Sequence, residues 1–154
     1  MKKAFYILTI FLLISLLNGC ARGESSGATA REITDAVRET AAFEKPLEED
    51  MSERETAEKY GISPELIKEG FILYDGSEKN PDKIIIVIAK NDSGADKIER
   101  ALSGERIRLV NALENDKSQY EKVNNIIVKA KGRYCALIFC GGAKAVEKIF
   151  DDLT

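Results

Sequence analysis

Lys83-Ile84-Ile85-Ile86-Val87-Ile88-Ala89-Lys90 constrains the fold more than any other stretch of this chain. Five consecutive β-branched residues favour an extended backbone, and consecutive side chains of a strand point to opposite faces. A strand that is apolar on both faces has to be covered on both, so this run reads as a central strand between two layers.

The flanking pattern supplies the rest of an α+β fold. From Thr29 to Phe43, Ala30, Ile33, Ala36, Val37, Ala41 and Phe43 gather on one side of a helix that Pro46 ends. Ser52 and Glu55 have capping-box spacing and predict a short helix toward Tyr60, with Gly61 closing it. Ser63-Pro64-Glu65 opens one more helical turn. Phe71 to Tyr74 reads as a short strand and Asp75 to Asp82 as a loop. Asp92 or Ser93 is the expected cap of a long helix reaching about Lys117, weakened at Gly104. Its Lys97, Glu99, Arg100, Glu105, Arg106, Arg108 and Glu114 read as a solvated face of weak pairs. Val123 to Ala130 and Arg133 to Cys140 predict a hairpin turning at Lys131-Gly132. Gly141-Gly142 then breaks the chain before a final helix carrying Val146, Ile149, Phe150 and Leu153 on one face. The expected architecture is a mixed, mostly antiparallel sheet of about four strands packed by helices, after an N-terminal helical segment.

The first twenty residues do not belong to that domain. Lys2 and Lys3 precede an uncharged apolar run from Ala4 to Leu17, and Leu17-Asn18-Gly19-Cys20 closes it. The run is shorter than the roughly twenty residues a membrane-spanning helix needs. It resembles a bacterial lipoprotein signal peptide. That resemblance implies removal of residues 1–19 and a diacylglycerol, with further acylation, on Cys20. Two or more chains hold a protein stably on a bilayer. The expected organisation is therefore a signal peptide over 1–19, a lipidated cysteine and flexible tether over 20–28, and one domain over 29–154.

Composition excludes several functions. Without the signal the balance is 21 basic to 26 acidic side chains, a net charge of −5. Nucleic-acid binding asks for clustered Lys and Arg, which this chain lacks. Glu44 to Glu58 holds seven acids against Lys45 and Arg54 and reads as a solvated helix-turn-helix surface rather than a metal site. The chain has no histidine, which removes Ser-His-Asp triads, Cys-His dyads and imidazole metal sites. Asp75, Ser77 and Asp82 have the look of a calcium loop, but Lys79 stands at its fifth position and no glutamate at its twelfth. A solvated turn is the better reading, and no metal or cofactor is expected beyond the lipid on Cys20.

Cys135 and Cys140 are separated by about 16 Å along an extended strand, beyond the ~7 Å a disulfide tolerates. They also point to opposite faces. Cys140-Gly141-Gly142 at the mouth of the last helix, with Lys144 nearby, is the sharpest chemical candidate: helix amides and a lysine lower a thiol's pKa or receive an anion. A second candidate is a groove along the hairpin lined by Tyr120 and Tyr134, whose rings offer contact area with a polar tip.

Several of these pieces also match a known family in order. They are the lipidated cysteine and tether, the N-terminal amphipathic helix, Tyr60-Gly61-Ile62 before a helical turn and the isoleucine-rich strand. Tyr120 after the long helix and Gly132-x-Tyr134 in the hairpin complete the set. Over about Ala30 to Phe150 the chain resembles the bacterial lipoproteins catalogued as domain of unknown function 4358 (DUF4358). The resemblance implies an anchored extracytoplasmic domain and no reaction. The leading expectation is a non-catalytic binding module at the outer face of the cytoplasmic membrane, recognising a peptide, a wall fragment or an envelope protein. The alternatives are a surface thiol enzyme or redox protein using Cys140, and a purely architectural lipoprotein.

Overall fold

The computed structural model describes residues 27–77 and 80–154. The expected signal peptide and Cys20, like Lys79, lie outside the described residues. No helix among the described residues is long and apolar enough to cross a membrane.

Ile84 to Ile88 do form the middle of a sheet covered on both faces. The elements are α1 (Ala30–Ala41), β1 (Pro46–Asp50), α2 (Arg54–Lys59), a 3₁₀ turn (Pro64–Leu66), β2 (Ile67–Asp75) and β3 (Lys83–Ala89). They continue with α3 (Asp92–Leu113), α4 (Tyr120–Asn124), β4 (Ile127–Lys131), β5 (Tyr134–Phe139) and α5 (Ala143–Leu153). The sheet has five strands in the order β1-β2-β3-β5-β4, one more than expected, and every pairing is antiparallel. On β3, Ile85 and Val87 face α2, α3 and α4, where Ile98, Leu102 and Val123 meet them. Ile84, Ile86 and Ile88 face α1 and α5, against Ile33, Val37, Val146 and Phe150. Each side chain buried in this way contributes about 1.5–3 kcal/mol.

The fifth strand is β1, in the acidic segment expected to be a helix-turn-helix surface. Pro46 is tolerated as the first residue of an edge strand. The acids are held by partners on other elements: Glu48 accepts from Arg31 and Arg38 of α1, and Glu49 accepts from the Tyr74 hydroxyl at 2.9 Å. The capping box expected at Ser52 and Glu55 does not form. Glu53 occupies the cap of α2 without a side-chain bond, and the Ser52 N–H is taken by Asp50 Oδ1 at 2.7 Å. The box is instead at Thr29, whose Oγ1 accepts the Glu32 N–H at 3.1 Å while Glu32 accepts the Thr29 N–H at 2.8 Å.

Four further boundaries move. Asn91, not Asp92 or Ser93, caps α3 by accepting the Gly94 N–H at 2.8 Å, and the helix runs unbroken through Gly104 to Leu113. β2 is nine residues long rather than four. Val123 belongs to α4, not to a strand, because its N–H bonds Gln119 O at 2.9 Å and its side chain fills the core. The hairpin turns at Gly132-Arg133, with Gly132 at φ +57°, a conformation glycine adopts without penalty. Glu105, expected on a solvated face, is buried and paired with Lys83 Nζ at 3.2 Å and Arg108 Nη2 at 2.6 Å.

The two helices behind the sheet give the domain a direction. Gly27 lies against the Tyr134 ring, and the Ala28 N–H donates to Leu153 O at 3.3 Å. From there α1 runs to the other end of the sheet, where Thr40 O approaches Gly142, and α5 returns. The chain therefore enters at the Tyr134 end, and β5 ends at the opposite one.

Candidate functional site

At that opposite end β5 gives way to Cys140, Gly141 and Gly142, and Gly142 caps α5 without a side chain. Facing it is α4, held in place by the buried Val123. Between them lies a cavity of about 660 Å³ lined by Tyr120, Lys122, Cys140, Gly142 and Lys144, with Lys117 at its edge. The Tyr120 ring is 65% exposed, so its face is available at the mouth.

Two of the lysines at the cavity, Lys122 and Lys144, are held by carboxylates. Lys122 Nζ donates to Asp82 Oδ1 at 2.8 Å and to Asn80 Oδ1 at 3.2 Å. Asn80 Nδ2 in turn donates to Asp75 Oδ2 at 3.0 Å. Asp75 also accepts the backbone N–H groups of Ser77 and Glu44, each at 2.9 Å. These bonds, that of Ser77 first, hold its carboxyl well below the usual range against the opposing effect of burial. Both carboxylates of the supposed calcium loop are thus already used, one by amides and the other by an ammonium. Lys144 Nζ pairs with Glu147 at 2.9 Å on an exposed surface.

Cys140 is 2% exposed, and its thiol is raised to about 11. Burial is the main cause and Asp82 adds to it, while the Gly142 N–H and Lys122 act in the opposite sense. The expected thiolate is therefore not stabilised: at neutral pH the group is a protonated thiol that packs with Ile138 and Val146. Cys135 faces the other layer, pushed up to about 12, with its Sγ 3.5 Å from Ala95 O. Neither cysteine is paired.

The two tyrosines expected in one groove are separated. Tyr134 opens β5 and is half-buried against Gly27, about 20 Å along the strand from Cys140. Tyr120 instead joins the Cys140-Gly141-Gly142 corner and Lys144, merging two candidate sites that the sequence kept apart. Lys122 and Asp82 were not anticipated as a pair. They lie forty residues apart, and no local spacing announces their contact.

The comparisons with known proteins agree with the sequence resemblance. No curated protein and no solved structure matches the chain. One family model does, described as Domain of unknown function (DUF4358), over residues 41–140, which take in every strand of the sheet and end at Cys140. With the match covering well over half of its length, the chain belongs to the DUF4358 family.

Proposed function

We propose that the protein is a non-catalytic binding module, held by a lipid on Cys20 at the outer face of the cytoplasmic membrane. Its ligand, a peptide, a wall fragment or an envelope protein, docks in the cavity between α4 and the start of α5. The observation that carries this reading is the meeting of Tyr120, Gly142 and Lys144 around an open cavity in which Lys122 and Lys144 are already held by carboxylates. An acid–base or nucleophilic site keeps its ionisable groups poised near neutral pH, whereas here the thiol is protonated. Position supports it as well: the chain enters the domain at the Tyr134 end, so the cavity lies at the end of the domain opposite the point of attachment.

The test uses the isotope-labelled full chain in micelles, titrated with soluble muropeptides and with extended peptides. Saturable movement of the Tyr120 and Gly142 amide signals, abolished in Tyr120→Ala, is the expected result. Movement confined to other surfaces would overturn the site. For the anchor, wild type should take up labelled palmitate and Cys20→Ala should not; equal labelling of both would remove Cys20 from the account.

A further inference from the structure

On the α3 face of the sheet, a smaller cavity of about 210 Å³ opens between β1, β2 and the Lys59-Tyr60 pair where α2 ends. Tyr60 is fixed in its wall. Its N–H donates to Ala57 O at 3.0 Å, and Gly61, at φ +70°, turns the chain so that Ile62 enters the core. The residue is 7% exposed, yet its hydroxyl makes no hydrogen bond among the described residues and keeps accessible surface. Burial, then Glu105 and Glu49, pushes that hydroxyl up to about 12, so at neutral pH it is a donor without an acceptor. A tyrosine hydroxyl held in this state at a cavity wall is poised for an acceptor from outside the chain.

The charges on the wall are unevenly matched. Lys83 and Arg108 share the one buried carboxylate of Glu105, and Lys59 has no carboxylate partner among the described residues. The Lys59 and Lys83 ammonium groups lie 5.7 and 5.6 Å from the centre of the Tyr60 ring, so cations outnumber carboxylates around it. Glu49, on β1, is the reverse case. Its Oε1 accepts the Tyr74 hydroxyl at 2.9 Å, its Oε2 stays accessible, and no cation pairs with it among the described residues. The other acids of the wall are occupied, Asp82 by Lys122 and Asp75 by the Ser77 and Glu44 amides and Asn80. A lone anion would leave Glu49 unanswered, and a lone cation would meet Lys59 and Arg108. A ligand that carries both charges answers both. At ~30 Å³ per water the cavity has room for about seven, which confines it to a small solute.

We propose that this cavity binds a free α-amino acid with a small side chain as its zwitterion. Its carboxylate accepts from Lys59, Arg108 and the Tyr60 hydroxyl, and its ammonium donates to Glu49. The site is separate from the cavity between α4 and α5, and the proposal does not depend on what docks there. The test titrates the isotope-labelled full chain in micelles with L-alanine and D-alanine, and with N-acetylalanine and alaninamide, which each keep one of the two charges. The expected result is saturable movement of the Tyr60 ring and Gly61 amide signals by at least one alanine enantiomer, with both single-charge analogues at least about tenfold weaker. Tyr60→Phe keeps the ring and removes the hydroxyl, so it should weaken alanine about tenfold. Its thermal midpoint should stay unchanged, because the hydroxyl has no partner to lose; a structural hydroxyl would lower it. Glu49→Gln can still accept from Tyr74 and should weaken alanine while leaving N-acetylalanine as it was. Tyr60 signals unmoved by either enantiomer would overturn the proposal and leave the cavity to water. N-acetylalanine binding as tightly as alanine would overturn it too, by reducing the site to an anion contact, as would equal binding by Tyr60→Phe. The Tyr120 and Gly142 signals report the other cavity, so either reading can fail while the other stands.

Discussion

The two ends of the sheet are built on different terms. At the Tyr134 end the chain closes on itself, although Asp151 Oδ1 is buried there without a partner among the described residues: Ala28 is bonded to Leu153, Lys131 Nζ donates to Asp151 O at 2.8 Å, Gly27 seats the Tyr134 ring, and a two-residue turn closes the hairpin. At the Cys140 end Asp75 and Asp82 are each 5% exposed, Gln119 Oε1 is buried without a partner among the described residues, and two cavities open nearby. Burying polar groups where apolar ones would pack costs stability, and proteins keep such arrangements where they use them. The closed end holds the domain together, and the polar end is where we propose that the ligand docks.

The largest test of that division is Phe150→Ala. Phe150 is fully buried on α5, against α1 and the back of the sheet. Its truncation should destabilise the protein by about 3–5 kcal/mol, read from urea unfolding. In the fraction that stays folded, ligand-induced shifts at Tyr120 should match wild type. A loss of binding at equal folded fraction would mean that the two ends are one unit, and the contrast would collapse.

Lys122→Met comes next. It leaves Asp82 buried without its ammonium and should destabilise by about 2 kcal/mol, less than a fully buried pair because Lys122 is partly exposed. Adding Asp82→Asn should restore most of the loss, since a neutral amide needs no counter-charge. Were the double variant as unstable as the single one, the pair would be holding the loop through Asn80 rather than compensating Asp82. Urea midpoints for the three variants decide between these.

What the sequence made legible follows the same division. The isoleucine run announced both layers because alternation along a strand is a local property, and Val146, Ile149 and Phe150 announced α5 in the same way. Gly141-Gly142 was legible as the mouth of that helix. β1 was not, because an edge strand of Pro46-Leu47-Glu48-Glu49-Asp50 carries almost no apolar signal and is held by Arg31, Arg38 and Tyr74 from elsewhere in the chain. Val123 was misassigned because one buried valine fits a strand as well as a single helical turn. The convergence of Tyr120 with Cys140, and of Lys122 with Asp82, depends on strand order, which no local pattern encodes.

Acid sharpens the comparison from another side. The Asp75 carboxyl sits below its ordinary value of 3.8 in the folded protein, chiefly through the Ser77 N–H. Below that ordinary value the unfolded chain takes up the proton first. The stabilisation from this group is therefore present at neutral pH and lost as pH falls. The thermal midpoint should decline between about pH 5 and pH 2, and Asp75→Asn should flatten part of that decline while lowering the midpoint at neutral pH. Hydrogen exchange locates the loss: the Ser77 and Glu44 amides should open early, before Ala28 and Tyr134. If all four opened together, acid would be unfolding the domain as a whole.

Tyr120→Ala carries the smallest effect on stability and the most direct bearing on the site. An exposed ring at the start of a five-residue helix contributes little to the core, and surface truncations of this kind change stability by within about 0.5 kcal/mol. The same ring offers a large rigid face in the cavity that Gly142 and Ala143 also line, and aromatic anchors of this sort dominate binding where a partner covers them. The expected outcome is an unchanged urea midpoint with ligand shifts at Gly142 lost. Tyr134→Ala is the control, since that ring packs on the closed end: it should lower the midpoint and leave binding intact. A Tyr120→Ala variant that bound normally would move the contact surface off this cavity. One that unfolded would make Tyr120 part of the scaffold and leave the polar end without its anchor.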